Sequence, residues 1–350
     1  MKRILSVIGA RPQFIKASVV SKALMKAGLD EVIAHTGQHY DFLMSSVFWE
    51  ELQLPDLYAN LEIGSDLHGR QTALIIEKVE ALILKLKPDA VMVYGDTNST
   101  LGAAVATSKI TGIKIVHIES GLRSFNRNMP EEVNRVLTDH VSDYLFCSSD
   151  EGVRNLAKEG ISKNVYNVGD VMHDCIRTFM PIRKKIADLE DVLNKAFGLM
   201  TIHRPSNTDN PANMLEIFKG VERIGVPVIW PLHPRNRSLL SNWKIPSNVK
   251  IINPASYLEM LFLLDSCEFV ITDSGGVQKE AYWMHKACIT VRDETEWVET
   301  LSKGANTLTG PNSEKIYQAF NSREDAYWES ALYGDGHASE AIANILLKEL

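Results

Sequence analysis

Short, nearly unbroken apolar runs recur along the chain, and each leads into a polar or glycine-bearing corner. Ile4–Ile8, Ala90–Tyr94, Ile113–Ile118 and Tyr144–Cys147 are such runs in the first half. Leu199–Ile202, Val226–Trp230, Val249–Ile252, Phe269–Thr272 and Ala287–Val291 repeat the theme in the second. Strands without polar alternation are buried on both faces, which is the condition of a parallel sheet covered by helices. Residues at helical spacing lie between the runs: Phe14–Met25 after the first, and a small-residue stretch from Ser99 after the second. The charged segment 182–191 carries no strand pattern, so the change of unit is expected between about Asp170 and Ala196. The pattern predicts an α/β chain of two doubly wound domains with a cleft between them.

Composition agrees. A length of 350 residues suits about two domains. Lys plus Arg is 37 against 44 Asp plus Glu, and a net charge of −7 argues against a nucleic-acid partner held by bulk charge. No segment approaches the roughly 20 apolar residues needed to span a bilayer. The basic start Met1-Lys2-Arg3 runs through a short apolar stretch into Arg11-Pro12, so it reads as a first strand and not as a signal peptide. Cys147, Cys175, Cys267 and Cys288 are far apart, without metal-ligand spacing. Reduced thiols in a cytoplasmic protein are expected, and no structural zinc.

Ligands of parallel α/β sheets bind outside the carboxyl ends of the strands. The residues found there are Gly9-Ala10-Arg11-Pro12, Gly95-Asp96-Thr97, Glu119-Ser120-Gly121-Leu122-Arg123, His203-Arg204, His233-Pro234-Arg235, Asp273-Ser274-Gly275-Gly276 and Arg292-Asp293. The turn at Ser274, Gly275 and Gly276 opens a helix whose first N–H groups suit a phosphate, with Glu280 one turn on for a ribose diol. It reads equally as an ordinary turn capped by Ser274. It matches neither the dinucleotide fingerprint nor the nucleoside-triphosphate loop. Arg11 and Lys16 can meet an anion at the first corner. Asp96, Glu119 and Glu131 are candidate proton carriers, although Asp96 also suits an N-cap, and Glu131-Glu132 a first helical turn. Glu119 ends an apolar strand and needs a partner or solvent. His117 reads as a hydrogen-bonded core residue. His203 can carry a proton or donate to phosphate, and His233 sits at a corresponding strand end.

These stretches, in this order, resemble the non-hydrolysing UDP-N-acetylglucosamine 2-epimerase family. The likeness also takes in Thr36-Gly37-Gln38-His39, Pro130-Glu131-Glu132-Val133-Asn134-Arg135 and Tyr333-Gly334-Asp335-Gly336. The resemblance implies a GT-B architecture of two Rossmann-like domains, residues 1–172 with 333–350 and residues 173–332. It implies a homodimer acting on a UDP-sugar, with no metal or NAD. C2 is inverted by elimination of UDP and its re-addition after protonation of the other face. Asp96, Glu119, Glu131 and His203 fall on catalytic positions. Arg11, Lys16, Ser274, Gly275, Gly276 and Glu280 fall on substrate or nucleotide positions, where Arg123, Arg292 and His233 are further candidates.

Departures narrow the likeness. Gln13 stands where the family commonly has Glu, and Tyr40-Asp41 stands where allosterically activated members carry a second glutamine. Residues 11–16, 231–235 and 295–299 look more like the branch acting on UDP-2,3-diacetamido-2,3-dideoxyglucuronate, which serves surface polysaccharide synthesis. Its extra carboxylate calls for another cation, for which Arg123, Arg127 and Arg204 are candidates. A hydrolysing 2-epimerase, a GT-B glycosyltransferase and a non-catalytic UDP-sugar sensor remain as alternatives.

Overall fold

The computed structural model describes residues 1–38, 49, 51–187, 189, 194–329 and 332–350. It divides into two compact units, Met1–Thr178 with Ala331–Leu350, and Phe179–Ser330. In the first unit the elements run β1 (Arg3–Ile8), α1 (Arg11–Lys26), β2 (Asp30–His35), β3 (Leu57–Asn60), α2 (His68–Leu86), β4 (Ala90–Tyr94), α3 (Asn98–Ser108), β5 (Lys114–Ser120), α4 (Pro130–Val141), β6 (Tyr144–Cys147), α5 (Asp150–Lys158), β7 (Val165–Asn167) and α6 (Val171–Phe179). The second has β8 (Gly198–Thr201), α7 (Pro205–Thr208), α8 (Pro211–Ile224), β9 (Val228–Pro231), β10 (Val249–Ile252), α9 (Tyr257–Ser266), β11 (Phe269–Thr272), α10 (Gly275–Trp283), β12 (Ala287–Thr290), β13 (Asn306–Leu308) and α11 (Ser313–Asn321), with short 3-10 turns between some of them. Helix α12 (Ala338–Glu349) returns to the first unit and packs on α1. The expected boundary after residue 172 falls inside α6, most of which stays with the first unit.

The strand orders explain where chemistry can sit. The first sheet runs β3-β2-β1-β4-β5-β6-β7 and the second β10-β9-β8-β11-β12-β13, with every pairing parallel. Both are doubly wound Rossmann orders, which reverse direction between β1 and β4 and between β8 and β11. Such a switch point opens a crevice at the strand ends. Leu5, Val7, Val91 and Val93 pack against Ile75, Val79 and Ala103 of the helices in the first core. Met200, Trp230, Phe269 and Ile271 pack with Ile217, Phe218 and Ile316 on one face of the second sheet, and Leu199, Ile229 and Val270 with Leu263 and Ala281 on the other. Burying both faces is why these strands carry no polar alternation. Asp174 of α6 caps the returning helix, accepting from the N–H groups of Ala338 and Ser339 at 3.1 and 2.7 Å. No described helix is long and apolar enough to cross a membrane. All four cysteines are buried free thiols, and burial pushes Cys147, Cys267 and Cys288 up to about 12.

Candidate functional site

At the first switch point the corners after β1 and β4 are locked together by one side chain. Helix α1 begins behind Ala10, which has no capping group. Gln13, two residues past Arg11, supplies it. Its Oε1 accepts from the N–H groups of Gly9 and Ala10 at 2.7 and 3.0 Å. Its Nε2 donates to the Tyr94 carbonyl at 2.7 Å and to the hydroxyls of Thr97 and Thr100, both at 3.0 Å. Gly9 is required here, because a Cβ would lie 2.1 Å from Ser99 Oγ and 2.3 Å from Thr36 Oγ1. Gln38 closes the same floor by accepting from Ser99 N at 3.1 Å. His39, Tyr40 and Asp41 lie outside the described residues.

Asp96 is not the cap of α3; Thr97 is, accepting from Thr100 N at 3.3 Å. The Asp96 carboxylate is instead held by Arg135 of α4. Glu119 occupies a bulge in β5, between Ile118, paired with Phe146, and Ser120, paired with Cys147. Its φ is +70°, a region costly for a non-glycine residue. A bulge re-aims a side chain, and strain of this kind gathers at functional sites. The carboxylate is ion-paired with Lys16, and the two side chains are only 10 and 8% exposed. Glu131, in the first turn of α4, is exposed and has no hydrogen-bond or ion-pair partner among the described residues. Its neighbour Glu132 is buried and takes the loop N–H groups of Ser124 and Phe125 at 2.9 and 2.8 Å. Burial raises the Glu132 pKa, but these N–H groups and Arg135 outweigh it and hold the carboxyl below its usual range.

Beneath these residues runs a buried polar chain. His117 places Nδ1 at 2.7 Å from Asp139 and Nε2 at 2.8 Å from the Gly95 carbonyl. Asp139 also accepts from Gly121 N at 3.1 Å and from Arg123 Nη1 at 2.7 Å. Arg123 forks onto Glu159 at 2.7 and 2.8 Å. Burial pushes the Asp139 pKa up, while the His117 and Arg123 charges pull it further down, so the net direction is downward. Arg123, expected as a ligand cation, is thus fully engaged within the unit, and its guanidinium is raised above its ordinary value despite burial. Arg127 has no role evident in the structure.

The second switch point is organised by Asp273 at the end of β11. This buried carboxylate accepts from the N–H groups of His203 and Arg204 at 3.1 and 2.9 Å and from Asn207 at 3.2 Å. It therefore ties the corner after β8 to its own. His203 Nδ1 lies 3.4 Å from Asp273, and the His203 ring stacks on His233 with centroids 5.1 Å apart. Ser274 occupies the N-cap of α10 with extended backbone but makes no side-chain cap bond. The leading N–H groups of a helix have no intrahelical acceptors, so this terminus is electropositive. Gly275 and Gly276 are partly exposed there and Glu280 is buried. Arg292, like Arg123, has a carboxylate partner of its own, forking onto Glu296 at 3.0 and 3.1 Å inside the unit. That geometry favours framing over ligand contact for both arginines. Among the described residues no group of three or more His, Cys, Asp or Glu stands ready to hold a metal ion.

Sequence reasoning passed over Gln13, Asp139, Arg135 and Asp273 as individual actors. All but Asp139 lie inside stretches that carry the resemblance, and the spacing Glu132, Arg135, Asp139 marks one helix face. A family model described as UDP-N-acetylglucosamine 2-epimerase matches residues 22–347. The UDP-2,3-diacetamido-2,3-dideoxy-D-glucuronate 2-epimerase of Pseudomonas aeruginosa is 45% identical over 355 residues, covering 99% of each chain. The crystal structure of the Methanocaldococcus jannaschii UDP-GlcNAc 2-epimerase in complex with UDP-GlcNAc and UDP superposes with a TM-score of 0.91 at 39% identity, covering 99% of each chain. The glycosyltransferase SnogD of Streptomyces nogalater shares the fold alone, with a TM-score of 0.55 at 12% identity over 99% of each chain.

Proposed function

This chain belongs to the UDP-N-acetylglucosamine 2-epimerase family and is an isomerase, and on that premise we propose that it inverts C2 of a UDP-N-acetylhexosamine or of UDP-2,3-diacetamido-2,3-dideoxyglucuronate. The observation that supports the reading is that each unit has a doubly wound switch point, and that the two differ in chemistry. One gathers carboxylates on rigid supports, and the other presents an uncapped helix terminus beside a carboxylate-anchored histidine.

The chemistry divides accordingly. C2 bears a weakly acidic proton, so a carboxylate must remove it and a proton must return to the opposite face. Asp96, Glu119 and Glu131 are assigned to that work. Glu131, exposed and unpartnered, is the one best suited to exchange protons with solvent, while the Lys16–Glu119 pair supplies a fixed anion with its counter-charge. Loss of UDP breaks the C1–O bond and leaves a glycal; re-addition restores it, so the sum is redox-neutral. The departing diphosphate needs positive potential. Ser274, Gly275 and Gly276 at the α10 terminus supply it, with Arg11 as a side-chain cation. Glu280 is assigned to the ribose diol. His203, anchored by Asp273 and stacked on His233, is assigned to the leaving phosphate oxygen.

The chain is further proposed to act as a homodimer in the cytoplasm, where four buried free thiols stay reduced. Light scattering on the purified protein tests the dimer. The function is tested by proton NMR in D2O with each sugar nucleotide. Deuterium at C2 with retention of the sugar nucleotide is expected, and Glu119→Gln abolishes it while leaving UDP affinity intact. Loss of the sugar nucleotide with free UDP would establish the hydrolysing reaction instead. Binding without exchange of either sugar would establish a sensor.

A further inference from the structure

We propose that Arg135 is a positioning residue for this reaction, holding Asp96 by one oxygen and tying it to the helical turn that carries Glu131. The proposal rests on the assignment of Asp96 and Glu131 to proton transfer. Arg135 sits on α4, and its side chain is 5% exposed. Its Nε and Nη2 both converge on Asp96 Oδ2, at 2.9 and 2.7 Å. Asp96 Oδ1 has no hydrogen-bond partner among the described residues, and the Asp96 side chain is 31% exposed. The remaining guanidinium nitrogen, Nη1, donates to Glu132 Oε2 at 2.7 Å. Glu132 is in turn fixed by the backbone of Ser124 and Phe125. Beside Arg135, Asn134 Nδ2 donates to the Asp96 carbonyl at 2.9 Å.

The pattern of contacts separates positioning from simple stabilisation. A guanidinium placed for stability matches both carboxylate oxygens with two parallel N–H groups. Arg123 does this with Glu159, and Arg292 with Glu296. Arg135 spends two N–H groups on one oxygen of Asp96 and turns the third nitrogen to Glu132. One carboxylate oxygen is thereby immobilised and the other left to meet a substrate. The same helix carries Glu131 one residue before Glu132, so the grip that fixes Asp96 also fixes where the turn bearing Glu131 begins. A lysine ammonium is a point charge and cannot hold both carboxylates in a planar fork.

The test compares wild type, Arg135→Gln, Arg135→Lys, Asp96→Asn and the double variant Asp96→Asn/Arg135→Gln. Three quantities are read: kcat for C2 deuteration, UDP affinity by calorimetry, and thermal unfolding. Misplacing a reacting group by an ångström costs about 100-fold, so Arg135→Gln is expected to lower kcat by about that factor, with UDP affinity changed less than about twofold. Arg135→Lys restores little of the loss. The double variant is slower than Asp96→Asn alone by far less than about 100-fold, because Arg135 acts mainly through that carboxylate and only the share exerted through Glu132 and the Glu131 turn is left to lose. Multiplying losses, a fall in UDP affinity matching the fall in kcat, or unchanged kcat in Arg135→Gln would each overturn the proposal. Should Arg135→Gln not fold, Arg135→Lys carries the same cycle. A wild type that exchanges neither sugar overturns the epimerase assignment, and the proposal with it; exchange in wild type with multiplying losses overturns the role of Arg135 alone.

Discussion

Replacing Gln13 with Met tests whether one side chain welds the first switch point. Methionine keeps the length and flexibility of glutamine and removes its polar atoms. Two buried backbone donors, the N–H groups of Gly9 and Ala10, then lose the acceptor they share. The Tyr94 carbonyl keeps the Thr100 hydroxyl at 2.7 Å, and Thr97 and Thr100 can turn to each other across 3.2 Å. The loss is therefore counted on the two N–H groups, at about 1–3 kcal/mol each, or about 2–6 kcal/mol in total. In a unit of this size that lowers the melting temperature by at least about 4 °C. Gln13→Glu separates the two halves of the amide. It keeps the acceptor but sets a carboxylate oxygen against the Tyr94 carbonyl, 2.7 Å from the present Nε2. Folding then favours the protonated acid, whose pKa is raised above the unfolded value near 4.3. Holding that proton at pH 7 costs at most about 3.7 kcal/mol, and at pH 5 at most about 1 kcal/mol. The deficit of this variant relative to wild type should shrink as pH falls from 7 to 5, by urea unfolding. A Gln13→Met protein within 0.5 kcal/mol of wild type (about the noise of such measurements), or a pH-independent deficit in Gln13→Glu, would refute the reasoning.

Three other outcomes follow from the same geometry. Burial raises the pKa of Glu31 despite donation from Ser6, and its Oε2 is buried without a partner. Its stabilising contribution is thus full below the unfolded value and is lost as pH rises through the folded one, so Glu31→Gln should gain on wild type as pH rises from about 4.3, measured by melting temperature. Asp139→Asn breaks a buried ion pair and should cost about 3–5 kcal/mol in urea unfolding; a loss below about 1 kcal/mol would mean that Glu159 alone neutralises Arg123. Glu280→Ala should weaken UDP binding by calorimetry, and equal affinity removes it from the ribose.

How much was legible depends on burial. Ala90–Tyr94, Tyr144–Cys147 and Phe269–Thr272 emerged from the sequence with the bounds they have in the fold, because strands covered on both faces leave an apolar run; Val249–Ile252, a half-buried edge strand, emerged through its β-branched content. The strands Asp30–His35, Leu57–Asn60, Val165–Asn167 and Asn306–Leu308 left no comparable signal. The last three are three or four residues long at sheet edges, and the first is half-buried over its leading half. Asp96, Glu119 and Glu131 could be named as carboxylates at strand and helix ends, but not told apart. What distinguishes them is tertiary: a guanidinium 39 positions away for Asp96 and an ammonium 103 positions away for Glu119. The positive φ of Glu119 depends on the register between β5 and β6, which no local pattern encodes.

That difference in supports bears on how such a site can work. Two carboxylates are pinned to cations, one of them on a strained bulge, and the third, at a helix start, has no partner among the described residues. Fixed charges stabilise a transition state because they need no reorganisation when charge develops. An acid that must gain and lose a proton in each cycle needs an oxygen that no cation holds, since a cation resists protonation. The first unit follows this division: Lys16 holds Glu119, Arg135 holds one oxygen of Asp96 and leaves the other, and Glu131 has no cation among the described residues although Arg135 lies one helical turn away.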